Sequence, residues 1–256
     1  MEIFTQADTW VALLTLTFLE IVLGIDNIIF ISITTGKLPQ KEQKKATNIG
    51  LLLAMVFRIL LLLGVSYLIA MKDSILDIET SWLTTHISGQ SIILFIGGLF
   101  LLYKSTSEIH HKVEGHTEEV STAKKVTTTL SKAIVQIVLI DLVFSFDSVL
   151  TAVGMTNGTE GALIIMITAV VVSMLIMMLF ASPVGKFVNE HPTIQMLALS
   201  FLILIGFMLI TEGAHLAQTE VFHQHIGAIP KGYLYFAIAF SLGVEALNMK
   251  IRKKKN

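Results

Sequence analysis

Four acidic residues sit inside apolar runs long enough to cross a lipid bilayer, and they come in two matched pairs. Residues 19–33 read LEIVLGIDNIIFISI and residues 140–154 read IDLVFSFDSVLTAVG. Overlaid, Glu20 matches Asp141, Asp26 matches Asp147 and Asn27 matches Ser148, at a constant offset of 121 residues. A carboxylate near the bilayer centre costs roughly 2.5–3.5 kcal/mol on insertion scales. Four of them in a repeated pattern call for a purpose beyond packing.

The donor chemistry of this set is hard. Four carboxylates, the Asn27 amide and the Ser148 hydroxyl offer oxygen ligands, which suit Mn²⁺, Mg²⁺ and Ca²⁺; Mn²⁺ accepts octahedral oxygen ligation. Clustered carboxylates repel one another, so their charge must be balanced by a cation or by protons. Metal occupancy and protonation are thereby linked, as a metal/proton exchanger requires. Against this stands a structural reading, in which the acids pair with Arg58 or hydrogen-bond between helices. One arginine cannot neutralise four acids.

Glu20 and Asp26 are six residues apart, about 600° of helical rotation, which leaves them roughly 120° apart around a continuous helix. Asn27, seven residues on, falls almost in line with Glu20. Either the two acids line adjacent walls of one cavity or the helix is broken between them. Gly24 is the natural breaking point, with Ser145 at the matched position. Interrupted helices free backbone carbonyls for cations in many transporters.

The elements that must position these residues follow from composition. Of 256 residues, 54% are hydrophobic and 14% charged, against about 25% charged in soluble domains; the mean hydropathy is +0.76. The chain reads as an integral membrane protein. Cysteine is absent, which excludes disulfides, thiolate zinc sites and iron–sulfur clusters. No DNA-binding motif appears, so no nucleic-acid partner is expected. The N-terminal MEIFTQADTW lacks the cationic region of a signal peptide, and the first apolar run is expected to be retained as a spanning helix.

A spanning helix needs about 20 mostly apolar residues. Seven segments qualify, near 9–34, 47–70, 88–104, 132–155, 161–182, 194–212 and 232–249; the third is short and should extend into its flanks. Odd-numbered turns and the C-terminus carry Lys37, Lys41, Lys44, Lys45, Lys104, Lys112, Lys124, Lys125, Lys132, Lys186, Lys250, Arg252, Lys253, Lys254 and Lys255. The N-terminus and even-numbered turns carry Lys72 and Lys231. This bias puts the N-terminus outside and the C-terminus in the cytoplasm, which requires an odd number of spans.

The expected fold is all-α: a polytopic membrane bundle of seven helices, built as two inverted three-helix repeats plus a C-terminal helix. The first repeat covers 1–104 and the second 132–215. A cytoplasmic loop with His, Glu and Lys covers 105–131, and an outer loop, seventh helix and basic tail cover 216–256. Three helices per repeat make the second enter the membrane the opposite way, as in many secondary transporters with midplane sites. An in-plane pseudo-twofold axis would bring the acidic pairs towards each other.

Other polar residues carry weaker signals. Glu108 with His111 and Glu212 with His215 have i,i+3 spacing, which could serve an entry or exit site, although ordinary interfacial solvation is the preferred reading. His110, His111 and His116, or His223 and His225, could bind or sense metal, although solvated loops explain them as well. Glu245 can snorkel or, with Asn248 on its face, seal the bundle. The KIRKKKN tail reads as a topology anchor that attracts anionic lipid. Met155, Met166, Met174, Met177 and Met178 read as apolar filling.

At these motifs the chain resembles the TerC family of bacterial integral membrane proteins. The resemblance rests on LEIVLGIDNIIFISI, GGLFLLYKSTSEIHHKVEG, IVLIDLVFSFDSVLTAVGM and FSLGVEALNMKIRKK, and covers almost the whole chain. It implies kinship with the LysE-like exporter superfamily, links to manganese efflux and tellurite resistance, and a place in the bacterial inner membrane. It also implies that Glu20, Asp26, Asn27, Asp141, Asp147 and Ser148 occupy the family's metal site, with Mn²⁺ or another hard divalent ion such as Ca²⁺ as the transported species and protons as a candidate coupling ion.

Three readings compete. The first is a Mn²⁺ exporter and not an enzyme. The second is a non-transporting membrane partner in tellurite or stress resistance, or of the protein-export machinery, working through the 105–131 loop and the basic tail. The third is an intramembrane aspartyl protease, whose dyad would share a proton. Such proteases carry GxGD, whereas this chain has LGID and SFD.

Overall fold

The computed structural model describes residues 7–114, 129–156 and 161–255, without the side chains of Ile25, Asp26, Lys253, Lys254 and Lys255. His116, Lys124 and Lys125 of the long loop lie outside the described residues. Among those described, seven helices are long and apolar enough to cross a membrane. They are α1 (Ala7–Thr35), α2 (Gln40–Leu63), α4 (Gly89–Glu114), α5 (Leu130–Thr156), α6 (Ala162–Glu190), α7 (Pro192–Leu216) and α8 (Lys231–Lys255), with a short α3 (Val65–Ala70) after α2. Four strands complete the chain: β1 (Ser74–Glu79), β2 (Leu83–Ser88), β3 (Glu220–Val221) and β4 (Gln224–His225).

These elements form two compact units. The first contains α1, α2, α3, α5 and α6. Here α1 runs unbroken through Gly24, and α5 runs unbroken through Ser145. Of the two arrangements open from the sequence, the continuous helix is the one observed. Gly24 instead gives room: a Cβ there would collide with the Met177 sulfur of α6. Gly50 plays the same part on α2, where a Cβ would stand 2.8 Å from Ile137 of α5. Van der Waals packing of small residues drives such helix contacts when lipid removes the hydrophobic incentive.

Several spans run beyond the sequence expectation, α6 to Glu190 and α8 to Lys255 among them; the second and third differ for reasons the structure shows. The second starts seven residues early, after Pro39, and ends at Leu63, where Gly64 caps it by donating its N–H to the Leu60 carbonyl at 2.9 Å. Residues 65–70 form the separate α3. The third span continues to Glu114, so residues 105–114, expected as loop, are helix. Two features explain this. Lys104 Nζ lies 2.9 Å from Glu108 Oε1, an i,i+4 pair, and Ser105 and Glu108 are buried.

The second unit contains α4, α7, α8 and the sheet. Gly98 and Gly206 bring α4 and α7 together: a Cβ on Gly98 would stand 2.5 Å from the Gly206 carbonyl oxygen. The sheet, absent from the sequence expectation, is antiparallel with strand order β1-β2-β3-β4. Its register puts Asp77, Glu79, Thr84, His86, Glu220 and His225 on one face and Ile78, Leu83, Thr85 and Val221 on the other, since side chains alternate along a strand. The β3–β4 turn holds Phe222 and His223 at φ 51° and 62°, a left-handed conformation that suits glycine or asparagine better.

Candidate functional site

Glu20 is the fourteenth of 29 residues in α1, and Asp141 the twelfth of 27 in α5. Both therefore stand near mid-helix, where water is scarce in a spanning segment. Residues seven apart nearly align on a helix, so Glu20 and Asn27 share one stripe of α1, and Asp141 and Ser148 share one of α5. Ser145, one turn from Asp141, belongs to the second stripe. All five are buried.

Arg58 of α2 joins the two stripes. It is 3% exposed, against 6% for Glu20 and 3% for Asp141. Its Nε donates to Asp141 Oδ2 at 3.0 Å and its Nη2 to Asp141 Oδ1 at 2.7 Å, the bidentate fork that a planar guanidinium makes with a carboxylate. Its Nη1 donates to Glu20 Oε2. Asn27 Nδ2 donates to Asp141 Oδ1 at 3.2 Å. Ser145 Oγ lies 3.0 Å from Asp141 Oδ2 and 2.5 Å from the Asp141 carbonyl; its one proton serves one of them at a time.

Two ionised carboxylates and one guanidinium leave one negative charge in excess. Buried charge must be paired, so beside Arg58 the cluster has room for one more single positive charge, such as a proton, while a divalent ion would overbalance it. Asn27 adds a second opening, because its buried Oδ1 has no hydrogen-bond partner among the described residues. An amide oxygen beside a carboxylate is a hard-cation ligand.

Of the six residues singled out in the sequence, the structure brings Glu20, Asn27 and Asp141 into one network. Ser148 shares the buried stripe, but its hydroxyl donates to the Ser145 carbonyl at 3.2 Å. Asp147 is half-buried, and its place six residues beyond Asp141 turns it onto another face of α5. The Asp26 side chain lies outside the described residues. Among the described residues, no three His, Cys, Asp or Glu side chains are grouped to hold a metal ion. The pairing with Arg58 is therefore observed for two of the four acids, Glu20 and Asp141.

The secondary polar pairs resolve differently. Glu108 pairs with Lys104, while His110 Nε2 lies 3.2 Å from Glu114 Oε2. His225 Nε2 lies 2.9 Å from Glu220 Oε1. Asn248 Nδ2 donates to Glu245 Oε2 at 3.3 Å, as their shared face suggested. Met166, Met174 and Met177 are core residues. In sequence Arg58 reads as a neutraliser and Ser145 as a helix breaker, whereas in the structure both bond to the Asp141 carboxylate. The signal for Arg58 was present, since it is the one basic residue in the interior of a span.

Seven described helices long and apolar enough to span a bilayer, with a buried polar network in the first unit, define a multi-pass integral membrane protein. The match to known proteins is direct: the family model described as "Integral membrane protein TerC family" covers residues 5–256, and the chain belongs to that family. It is 46% identical to the UPF0053 inner membrane protein YgdQ of Escherichia coli over 98% of this chain and 97% of that protein. A UPF0053 protein of Haemophilus influenzae is 40% identical, with 98% of each covered. The UPF0053 inner membrane protein YoaE of Escherichia coli is 41% identical over 99% of this chain, which spans 45% of that longer relative. No solved structure matches.

Proposed function

We propose that this protein is a divalent metal ion transporter, and that it exports Mn²⁺ from the cytoplasm. The observation that carries the reading is the buried Glu20–Arg58–Asp141 network, two acidic groups facing one guanidinium, with an Asn27 oxygen beside it that lacks a partner among the described residues. Glu20, Asn27 and Asp141, with Asp26, Asp147 and Ser148 from the same repeated motif, would form the binding region. The inverted relation of the two motifs would let the region open to either side in turn. On this reading the N-terminus lies outside and the C-terminus in the cytoplasm, and the ion leaves in exchange for entering protons, which the membrane potential drives inward at about 2.3 kcal/mol per charge per 100 mV. The role is non-enzymatic.

A second reading draws on the same geometry. The Arg58 fork onto Asp141 would also suit a fixed ion pair in a non-transporting membrane partner of stress resistance or protein export. Radiolabelled Mn²⁺ flux in proteoliposomes under a set pH gradient separates the two. Transport requires flux in the wild type and loss of flux in Asp26→Asn and Asp147→Asn; wild-type rates in both variants would end the carboxylate account. A non-transporting role predicts no flux, with the phenotype in cells depending on residues 105–131.

A further inference from the structure

We propose that Arg58 is a tethered cation that competes with the transported ion for Glu20 and Asp141, so that the divalent ion enters only as the guanidinium leaves. The proposal rests on the transport reading above. Of the four carboxylate oxygens on this pair, Arg58 takes three as acceptors: Glu20 Oε2, Asp141 Oδ1 and Asp141 Oδ2. A metal ion binding the pair needs those same oxygens. It cannot share them with a guanidinium, because two cations on one carboxylate pair repel each other.

Charge counting leads to the same exchange. The two carboxylates carry −2, which a divalent ion balances alone and Arg58 balances by half. On this pair alone, both cations together would leave +1 among residues that are 3–6% exposed, so at the Glu20 and Asp141 oxygens themselves one of the two must give way. Asn27 is placed to assist, since it already donates to Asp141 Oδ1 and has an unpartnered oxygen that would accept the ion as the guanidinium moves away.

The tether also gives the carrier a route back. Bare carboxylates at the middle of a bilayer are costly to carry across, and a carrier without an internal cation must wait for protons or another ion. Arg58 covers the pair without any dissolved ion. Among the described residues the second spans differ in this device: α2 carries Arg58 in its interior, whereas the basic residue of α6 is Lys186, four residues from that helix's C-terminal end. A guanidinium suits the role because it stays charged at all accessible pH values.

Binding of Mn²⁺ to the purified full-length protein, measured by titration calorimetry, tests the competition. Arg58→Gln should bind Mn²⁺ about tenfold more tightly than wild type, the scale of one lost charge-assisted competitor, and Arg58→Lys, which keeps the charge but loses the fork, about threefold more tightly. In proteoliposomes Arg58→Gln should keep Mn²⁺-for-Mn²⁺ exchange while net efflux falls about tenfold. Equal or weaker binding by a folded Arg58→Gln, or parallel loss of exchange and net efflux, overturns the tether. If Arg58→Gln does not fold, Arg58→Lys decides in the same way. Wild-type binding with unchanged variants defeats this inference alone; no binding by any of the three proteins defeats the transport reading and takes the tether with it.

Discussion

Arg58 grips Asp141 at both carboxylate oxygens, at 2.7 and 3.0 Å, while it gives Glu20 a single donor. The two acids are matched in sequence but unequal in space. Removing one partner of a buried ion pair costs about 3–5 kcal/mol, because the remaining charge is left uncompensated. Arg58→Met, which strands two carboxylates, should be the most destabilising change in the network. Asp141→Asn should follow, since it dissolves the fork. Glu20→Gln should be mildest, because it leaves one guanidinium facing one carboxylate. Melting temperatures in detergent would read this order; Glu20→Gln falling furthest would contradict the geometry.

The close crossing of α4 and α7 makes a second prediction. A Cβ at Gly98 meets the Gly206 carbonyl oxygen at 2.5 Å and the Ile210 side chain at 2.7 Å. Backbone cannot step aside as a flexible side chain can, and overpacking costs typically about 1–3 kcal/mol. Gly98→Ala should lower the melting temperature. Gly154→Ala, where a Cβ meets nothing within 4 Å, should leave it unchanged or raise it. Equal effects would argue against the tight crossing.

Much of this fold was legible because lipid imposes a coarse rule: about 20 apolar residues make a span. All seven spans were readable on that basis. Their ends were not. Residues 105–114 are polar in sequence, yet they continue α4, because Lys104 pairs with Glu108 and Ser105 and Glu108 are buried. The sheet was hidden for another reason: β3 and β4 are two residues each, too short for any alternation to register. At the site, the repeat revealed Glu20 and Asp141, but the partner that unites them lies 38 and 83 residues away. Arg58 is conspicuous as a basic residue inside a span, but which acids it would grip, and by how many donors, depends on tertiary packing.

The sheet supplies a pH prediction. Asp77 accepts from the Ser74 hydroxyl at 2.5 Å and lies 2.7 Å from His86 Nδ1. The Ser74 hydrogen bond, and after it that of His86, hold the Asp77 carboxyl below its ordinary value of 3.8. The folded state thus favours the ionised form. Its stabilising contribution is complete above the unfolded value of 3.8 and is lost as the pH falls through the lower folded value. Amide exchange in β1 and β2 should therefore accelerate in acid relative to Asp77→Asn at the same pH. Identical acid profiles in the two proteins would remove Asp77 from the account.

Asn27 offers a test of the local hydrogen bonding. Asn27→Leu removes one bond to Asp141 Oδ1, which keeps its Arg58 donor, and one buried oxygen that lacks a partner among the described residues, so the net cost should be about 1 kcal/mol or less. Melting should change little, while Mn²⁺ affinity should fall about tenfold if that oxygen is a ligand. A large loss of stability with unaltered affinity would make Asn27 a structural residue.

The most direct test of the central claim is net flux of radiolabelled Mn²⁺ into proteoliposomes, comparing wild type with Asp141→Asn in protein shown to be inserted and folded. The account predicts saturable flux in the wild type, competed by other hard divalent ions, and its loss in Asp141→Asn. Flux at the wild-type rate in Asp141→Asn, or none in a folded wild type under any imposed gradient, would contradict it.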